Sequence, residues 1–417
     1  MNQRLESLAV NGGQPIRGGK FPPRRLFGLE EKNAANEVFD EAIATGNAFG
    51  YGGPREQAYE QEFAQFLGGG MAKAVNSGTS AVLAAVAALE LEPGSEVITP
   101  PITDPGGVMP VVMMNCVPVP ADTDGFSFNM GAEQVQARLT PRTRAIVVAH
   151  IMGEPADMPG IMALARDRGL PVIEDCAQAH GTRIAGELVG TFGDISAFST
   201  MSGKHHASGA QGGLVFTRNE KLFWTARRFM DRGKPYGSAE TSNLLLGLNL
   251  NSNDLAAAIG RVQLRKLPGI VQRRREVAES LRGPIDNLSS VRFGQVLPSA
   301  EPTYWFLRMT VDAARLSVSK DAFASALAAE GVPVMVSYGH SPAEHIWFKT
   351  RRTYGQSGCP WTCERYKGDP NASYDQPNYR RAVADNFLIA IHEGWGEQEI
   401  QDTIRALEKV EAAYLNR

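Results

Sequence analysis

The sequence predicts an α/β fold in which helices cover both faces of a parallel sheet, followed by a smaller α+β section. Between about residues 70 and 220, short β-rich apolar runs alternate with helical stretches, which is the pattern of strand–helix–strand units. After a long helix that begins near residue 255, strands and helices are mixed. The length of 417 residues allows one large and one smaller domain.

The first section follows an N-terminal arm, residues 1–30, which contains a short basic stretch with Pro and Gly. Helical periodicity predicts helices at Ser80–Leu91 and at Ile161–Arg168, the second of which stops at Gly169. The apolar runs predict strands at Ala72–Asn76, Glu96–Thr99, Ala145–His150, Pro171–Asp175, Ile195–Thr200 and Gly213–Thr217.

The second section starts with the long helix near Leu255–Leu267. Its predicted strands are Tyr304–Val311 and Pro333–Ser337, and its predicted helices are Lys320–Glu330 and Glu397–Leu415. The segment Gly339–Gln376 is irregular and rich in Gly, Pro, Tyr and Trp. Long loops of this kind tend to be functional or disordered.

The composition is that of an ordinary soluble protein, for which we expect small molecules as partners. Hydrophobic residues make up 43% and charged residues 21%, and the net charge of -3 is spread without long runs of one sign. We therefore expect neither nucleic acid nor a membrane as a partner. Because the N-terminus lacks a signal-peptide pattern and no apolar run is long enough to span a bilayer, we expect a cytoplasmic protein.

The cysteines give no sign of a disulfide framework. Cys116, Cys176, Cys359 and Cys363 are too few and too scattered for one, which fits a reducing compartment. A metal site made of Cys359 and Cys363 with His340 and His345 is an alternative, but neither spacing is a usual zinc pair. We expect no metal.

Residues suited to chemistry follow three predicted strands, at the edge where ligands bind in open α/β sheets. Asn76–Ser80 starts a helix with hydroxyls and a Gly, so it fits a phosphate site, although a plain N-cap explains the same residues. Asp175 ends an apolar strand and suits a protonated ring nitrogen, with a capping or salt-bridged Asp as the alternative. Lys204 follows the next strand and is the residue type that forms an imine with an aldehyde cofactor, although a solvated loop lysine is common.

The order of these three signals indicates one site. A phosphate cradle, a ring acid and an imine lysine come on successive loops of one sheet, as a pyridoxal-phosphate site requires.

Several longer motifs occur in one order between about residues 45 and 275. They are Ser77-Gly78-Thr79-Ser80-Ala81, Glu96-Val97-Ile98-Thr99-Pro100, Glu174-Asp175-Cys176-Ala177-Gln178-Ala179-His180-Gly181, Phe198-Ser199 with Lys204, Gly212-Gly213, and Asn249 followed by Ala257–Gly260 and Gln263-Leu264. In these motifs the chain resembles the DegT/DnrJ/StrS family of fold-type I sugar and cyclitol aminotransferases. The resemblance implies a large domain at 31–270 with a mostly parallel seven-stranded sheet flanked by helices, and a smaller α+β domain at 271–417.

The resemblance also implies roles for single residues. Lys204 is implied to form the Schiff base with pyridoxal phosphate, and Asp175 to hold the pyridine nitrogen. Asn249 is implied to reach the phosphate in the neighbouring subunit, which makes the active form a homodimer with shared sites. The other cofactor contacts are Ser77, Gly78, Thr79 and Ser199 at the phosphate and Gln178 at the ring hydroxyl oxygen. The implied reaction moves an amino group from glutamate or glutamine to a keto-sugar or keto-cyclitol.

Some positions depart from the family pattern. Asp104 stands where the family has an aromatic residue that stacks on the cofactor ring. Either ring stacking comes from another residue, or the carboxylate has a task of its own, such as meeting an amine or hydroxyl of the substrate. Asp104 is expected among the cofactor contacts. Ala210-Gln211 replaces a single Glu and Asn251 replaces an Arg, so the contacts from those positions are open.

Other functions than transamination are compatible with the same cofactor site. Some relatives replace it with histidine and dehydrate sugars, but Ser199, five positions earlier, keeps Lys204 in register and makes His205 a neighbour. A dehydratase or another lysine-imine enzyme, and a non-catalytic regulatory protein that binds the cofactor, are the remaining alternatives. The predicted substrate contacts are Tyr51, His205, Tyr338 and His340, with Tyr236, Trp305 and Trp347 as further aromatic candidates. The sequence does not identify the acceptor.

Overall fold

The computed structural model describes residues 3–339 and 341–416, which form strands and helices in both predicted sections. The strands are β1 Met71–Val75, β2 Glu96–Thr99, β3 Val117–Pro120, β4 Thr143–Ala149, β5 Val172–Asp175, β6 Arg183–Ile184, β7 Glu187–Leu188, β8 Ile195–Ser199, β9 Gly213–Thr217, β10 Val291–Phe293, β11 Ala300–Glu301, β12 Leu307–Val311, β13 Val334–Met335 and β14 Asn386–Ile389. The α-helices are α1 Gln3–Glu6, α2 Leu29–Thr45, α3 Pro54–Phe66, α4 Gly78–Ala88, α5 Met109–Met113, α6 Ala132–Gln136, α7 Met158–Arg168, α8 Glu220–Met230, α9 Asp254–Asp286, α10 Lys320–Ala329, α11 Ile346–Lys349, α12 Pro377–Asp385 and α13 Glu397–Tyr414. Over the described ranges, none of these helices has the length and apolarity needed to cross a membrane.

A seven-stranded sheet forms the centre of the first section, in the order β1-β9-β8-β5-β4-β2-β3. The strands from β8 to β3 pair in parallel, whereas β9 runs antiparallel to β8 and β1. The predicted mostly parallel α/β sheet is therefore confirmed. Because parallel strands end at one edge, the loops after β5 and β8 bring Asp175 and Lys204 together.

One strand of this sheet was not predicted. β3 contains Pro118 and Pro120, and a proline has no N–H to donate to a neighbouring strand. β3 lies at the edge of the sheet and pairs only with β2, where prolines are tolerated. The six predicted strands all occur, with ends shifted by at most two residues.

The second section contains an antiparallel sheet in the order β10-β12-β14-β13. It packs with α9, α10 and α13 around buried Phe323, Phe387 and Leu407. Leu8 of the N-terminal arm is fully buried in the same core. The long helix α9 runs through residue 270, where the sequence places a domain boundary, and that division stays a prediction.

Two of the cysteines are paired, contrary to expectation. Cys359 and Cys363 form a disulfide, with their Cα atoms 5.2 Å apart across a turn. Four scattered cysteines indicate no disulfide framework, and the turn that brings two of them together inside an irregular segment is not visible in the sequence. Cys116 and Cys176 are free and buried.

A buried ion pair connects the two sections. Arg308 on β12 is fully buried and donates to Glu154 Oε2 through Nε at 3.1 Å and Nη2 at 2.9 Å. Its remaining N–H groups donate to the carbonyls of Phe126 and Gln295 and to Asn386. Since Glu154 follows β4 of the central sheet, the guanidinium joins that sheet to the smaller one.

We expect Arg308→Ala to destabilise the protein by about 3–5 kcal/mol, because it leaves the Glu154 carboxylate buried without a cation. Urea unfolding followed by fluorescence measures the change. Arg315→Ala is the matched control, since Arg315 pairs with Asp312 on the surface and its removal should cost less than about 1 kcal/mol. If the two variants lost equal free energy of unfolding, the buried pair would not stabilise the protein more than a surface pair does.

Candidate active site

A cavity of about 230 Å³ opens at the carboxyl edge of the central sheet. Lys204 and Asp175 both line it, although they follow different strands. Its other lining residues are Ser77, Gly78, Thr79, Val82, Asp104, Gly106, Gly107, Ala177, Ser199, Met201 and Gln211. The structure therefore brings together most of the residues that the sequence assigned to the cofactor.

The N-terminus of α4 forms one end of the cavity. Ser77 caps this helix, and its Oγ accepts a hydrogen bond from Ser80 N at 3.1 Å. The capping role and a phosphate site are thus compatible, because the other N–H groups of the first turn remain open. A Cβ on Gly78 would lie 2.6 Å from Ser199 Cβ, so only glycine lets the helix start approach Ser199.

Asp175, the last residue of β5, provides a buried carboxylate. Its Oδ1 accepts a hydrogen bond from Ala177 N at 3.0 Å. Burial raises its pKa, while that hydrogen bond and the charge of Lys204 act in the opposite direction. A carboxylate in this position is stabilised by a cationic partner.

Lys204 provides the only amine that lines the cavity in the described part of the chain. Burial lowers its pKa to about 8, although the charges of Asp175 and Asp104 act to raise it. Its Nζ lies 3.8 Å from the centre of the Trp305 ring, a cation–π contact. Trp305 in turn donates from Nε1 to the carbonyl of Gly203 at 3.0 Å, which fixes the ring beside the lysine.

The N-terminal arm holds the backbone of Lys204. Arg24 donates to the carbonyl oxygens of Lys204 at 2.6 Å and His205 at 3.1 Å, and it pairs with Glu393 at 2.7 Å. Buried Arg274 binds the same Glu393 carboxylate at 2.9 Å and the carbonyls of Tyr304 and Trp305. The only sequence signal for Arg24 is the short basic stretch of the arm, which does not indicate a contact with Lys204.

Gln178 lies beside the cavity between two partners. Its Oε1 accepts from Met152 N at 2.9 Å, and its Nε2 donates to Tyr338 Oη at 2.8 Å. Tyr338, one of the predicted substrate contacts, is therefore adjacent to the predicted ring contact. His340 lies outside the described residues.

Three buried histidines, His180, His205 and His206, pack behind Lys204 and do not line the cavity. Their Nε2 atoms face the carbonyl oxygens of Ser199, Thr303 and Gly260. Their Nδ1 atoms have no partner within the described ranges, so each ring is neutral. Burial lowers the pKa of His180 and His205 well below the usual value and that of His206 to about 4. Lys204 lines the cavity and His205 does not, so His205 is a buried neighbour of the lysine.

We expect the protein to lose stability as the pH falls through about 6.5, the ordinary pKa of histidine. Below that pH the unfolded chain protonates these rings and the folded chain does not, at a cost of up to about 1.4 kcal/mol per pH unit for each ring. Urea unfolding between pH 7.5 and 5 measures the slope. His206→Gln should reduce it by about one proton. A slope of zero in the wild type would contradict this assignment.

Two predicted residues, Tyr51 and Asn249, are exposed outside the cavity of their own subunit. Tyr51 Oη accepts from Lys234 at 3.0 Å and Arg232 at 3.2 Å, and these hydrogen bonds lower its pKa. Asn249 pairs through its backbone with Asp231, which binds the same two cations. Asn251, in the place of the family's arginine, donates to Asn249 Oδ1 at 2.8 Å. Tyr51 and Asn249 thus belong to one exposed cluster.

One group of possible metal ligands occurs among the described residues: His150, Glu174 and Cys176, all buried. The Glu174 carboxylate already accepts hydrogen bonds from the N–H groups of Gly190, Phe192 and Gly193. His150 Nε2 lies 3.1 Å from the same carboxylate. These contacts explain the group as a structural network that fixes the loop after β7.

The cavity fits pyridoxal phosphate in each of its parts. The α4 N-terminus and Ser199 suit a phosphate, the buried Asp175 carboxylate suits a protonated ring nitrogen, and the Lys204 amine suits an aldehyde. Because position 78 is glycine, no Cβ there occupies the space beside Ser199.

Comparison with known proteins agrees with this geometry. A model of the DegT/DnrJ/EryC1/StrS aminotransferase family matches residues 30–368. The aminotransferase TlmJ from Streptoalloteichus hindustanus is 28% identical with a TM-score of 0.78, over 93% of this chain and 97% of that one. An aminotransferase from Psychrobacter cryohalolentis is 27% identical with a TM-score of 0.81, over 94% and 99%. The fold is also that of ntda from Bacillus subtilis, solved with bound cofactor PMP, at 20% identity, a TM-score of 0.77 and coverage of 95% and 86%.

Proposed function

The chain belongs to the DegT/DnrJ/EryC1/StrS aminotransferase family and depends on pyridoxal phosphate, and we propose that it transfers an amino group from glutamate or glutamine to a keto-sugar or keto-cyclitol. We place this activity in the cytoplasm, in the biosynthesis of a sugar or natural product. The observation that carries the proposal is one cavity that holds the Lys204 amine, the Asp175 carboxylate and the α4 N-terminus.

Each residue of the cavity has a separate role in such a reaction. When bound, pyridoxal phosphate supplies an aldehyde and an electron-withdrawing ring. Lys204, with a pKa of about 8, is in part a neutral nucleophile near neutral pH and can carry a proton on Nζ. Asp175 would keep the ring nitrogen of the bound cofactor protonated, and the N–H groups of the first turn of α4 would hold its phosphate. Trp305 holds the amine at the cavity wall when it is free.

We infer that two chains share their active sites. Among the described residues that line the cavity, the phosphate end has hydroxyl and N–H groups, and Lys204 is the only side-chain cation. The exposed cluster of Tyr51, Arg232, Lys234 and Asn249 offers cationic and amide donors to a neighbouring subunit. Exposed apolar residues, Leu29, Ile43 and Leu246, are 74%, 79% and 90% accessible and suit burial in a dimer.

A mixed dimer tests this sharing. Lys204→Ala and Asn249→Ala should each be inactive or weak as pure proteins. In the mixed dimer, one cavity receives an intact Lys204 and the partner's intact Asn249, so we expect one working site per dimer. Activity after co-expression and purification with two different tags measures the recovery. If Asn249 acts within its own subunit, no combination of the two variants restores an intact cavity.

The reaction is tested by absorbance. Glutamate or glutamine should remove the visible imine band of the wild-type protein within one turnover, because the cofactor leaves Lys204 in the amine form. A screen of keto-sugars and keto-cyclitols against that form should then restore the band with the correct acceptor. A band that no amino donor removes would reject the proposed function, and product analysis that shows loss of water in place of amination would assign a dehydratase.

A further inference from the structure

Asp104 contributes a charge that the proposed reaction does not use. The charged side chains that line the cavity are Asp104, Asp175 and Lys204, and the described lining contains neither arginine nor histidine. Asp175 is matched by a ring nitrogen and Lys204 by an aldehyde. The carboxylate of Asp104, which is exposed to the cavity, forms no ion pair with another residue that the structure describes.

The position of this carboxylate is fixed. Its Oδ1 accepts a hydrogen bond from Gly106 N at 2.9 Å, which caps the turn Pro105–Gly107. The turn packs on the site itself: a Cβ on Gly106 would collide with Thr79 Oγ1, and one on Gly107 would lie 2.9 Å from Asp175 Oδ2. Gly106 and Gly107 thus let the turn approach Thr79 at the phosphate end and the ring acid Asp175. Asp104, which caps this turn, is placed beside both.

The negative charge reaches the neighbouring groups. Burial is the main cause of the shifted pKa values of Lys204 and Tyr338, and the charge of Asp104 raises both. A carboxylate in the same cavity as the reacting amine favours ligands with positive charge and disfavours anionic ligands.

We propose that Asp104 is a specificity residue that selects an acceptor ring bearing a second, protonated amino group, such as an amino-keto-cyclitol. The inference rests on the proposed function and narrows its substrate class. An ammonium group beside Asp104 offsets its charge and donates charge-assisted hydrogen bonds to the free Oδ2. An acceptor that carries a nucleotide diphosphate and no amino group adds negative charge without offsetting that of Asp104, so it is disfavoured.

The preference is tested in the reverse direction, with the amine product as the amino donor. An acceptor ketone that already carries one amino group gives a diamine as its product, whereas a ketone without one gives a monoamine. The probes are 2-deoxystreptamine, a diaminocyclitol, and scyllo-inosamine, a cyclitol with one amino group. The rate at which each removes the imine band is measured on wild type, Asp104→Asn and Asp104→Phe. Asn keeps an oxygen for Gly106 N and removes only the charge, whereas Phe restores the aromatic side chain of the family pattern.

A second measurement does not depend on turnover. The imine is reduced with borohydride, and calorimetry then gives the affinity of the two amines for wild type and Asp104→Asn. We expect wild type to prefer the diamine about tenfold in both measurements. The preference should fall to near one in Asp104→Asn and in Asp104→Phe.

The outcomes separate this inference from the proposed function. If glutamate or glutamine removes the band but wild type shows no preference for the diamine, or Asp104→Asn keeps it, the inference fails alone. A nucleotide-linked amino sugar that reacts faster than both probes also overturns it. If no amine of any kind removes the band, the proposed function fails and the inference fails with it.

Discussion

Replacing Lys204 with alanine is expected to lower turnover by at least about 10⁴-fold and to remove the visible imine band. The reason is that the described part of the chain places no other amine in the cavity lining, so neither the imine nor the proton transfer has a substitute. Steady-state kinetics and an absorbance spectrum of the purified variant measure both effects.

Lys204→Arg is the matched variant. It keeps a cation beside the Trp305 ring but cannot form an imine, so it should be as inactive as Lys204→Ala while it retains the wild-type melting temperature. Methylamine added to Lys204→Ala should restore part of the activity, since a free amine can carry the proton. Sustained multiple turnover by Lys204→Ala without added amine would reject the role of this lysine.

Replacing Asp175 with asparagine is expected to lower turnover by about 10³-fold, because a neutral amide does not keep the ring nitrogen protonated. The loss should lie in proton abstraction. A donor deuterated at Cα should therefore show a larger isotope effect on the variant than on wild type. Weaker retention of the cofactor during dialysis is the second readout.

Asp157→Asn is the control for this change. Asp157 caps α7 with a hydrogen bond from Gly160 N to Oδ1 at 3.1 Å, lies outside the cavity lining, and an asparagine oxygen accepts the same bond. Its turnover should match wild type. If Asp175→Asn and Asp157→Asn have equal activity, Asp175 does not act on the ring.

The central sheet was predictable because its strands are short apolar runs with clear ends. Val172–Asp175 and Gly213–Thr217 are buried at every position, and the consecutive apolar residues within them, Val172-Ile173 and Leu214-Val215-Phe216, identify both as strands. β3 was not predicted because Pro118 and Pro120 indicate a loop. The two prolines are tolerated in this strand because it lies at the edge of the sheet. That place depends on strand order, which local patterns do not contain.

The site divides in the same way. Lys204 and Asp175 follow predicted strands, so the edge they share could be inferred from the chain alone. Arg24 contacts Lys204 across 180 residues of sequence, and Arg308 contacts Glu154 across 154, so neither partnership has a local signal. The pairing of Cys359 with Cys363 depends on a turn inside an irregular segment, and composition does not predict it.

The contact between Arg24 and the Lys204 carbonyl links the ends of the chain to its chemistry. A chain shortened to begin at residue 30, where the family match starts, would keep every strand and every residue that lines the cavity. It would lack the guanidinium that fastens the loop of the reactive amine to Glu393 near the C-terminus. Because it would also lose Leu8 from the core of the second section, we expect such a shortened protein to be less stable and to hold the reactive amine less firmly, so the N-terminal arm is part of the functional fold.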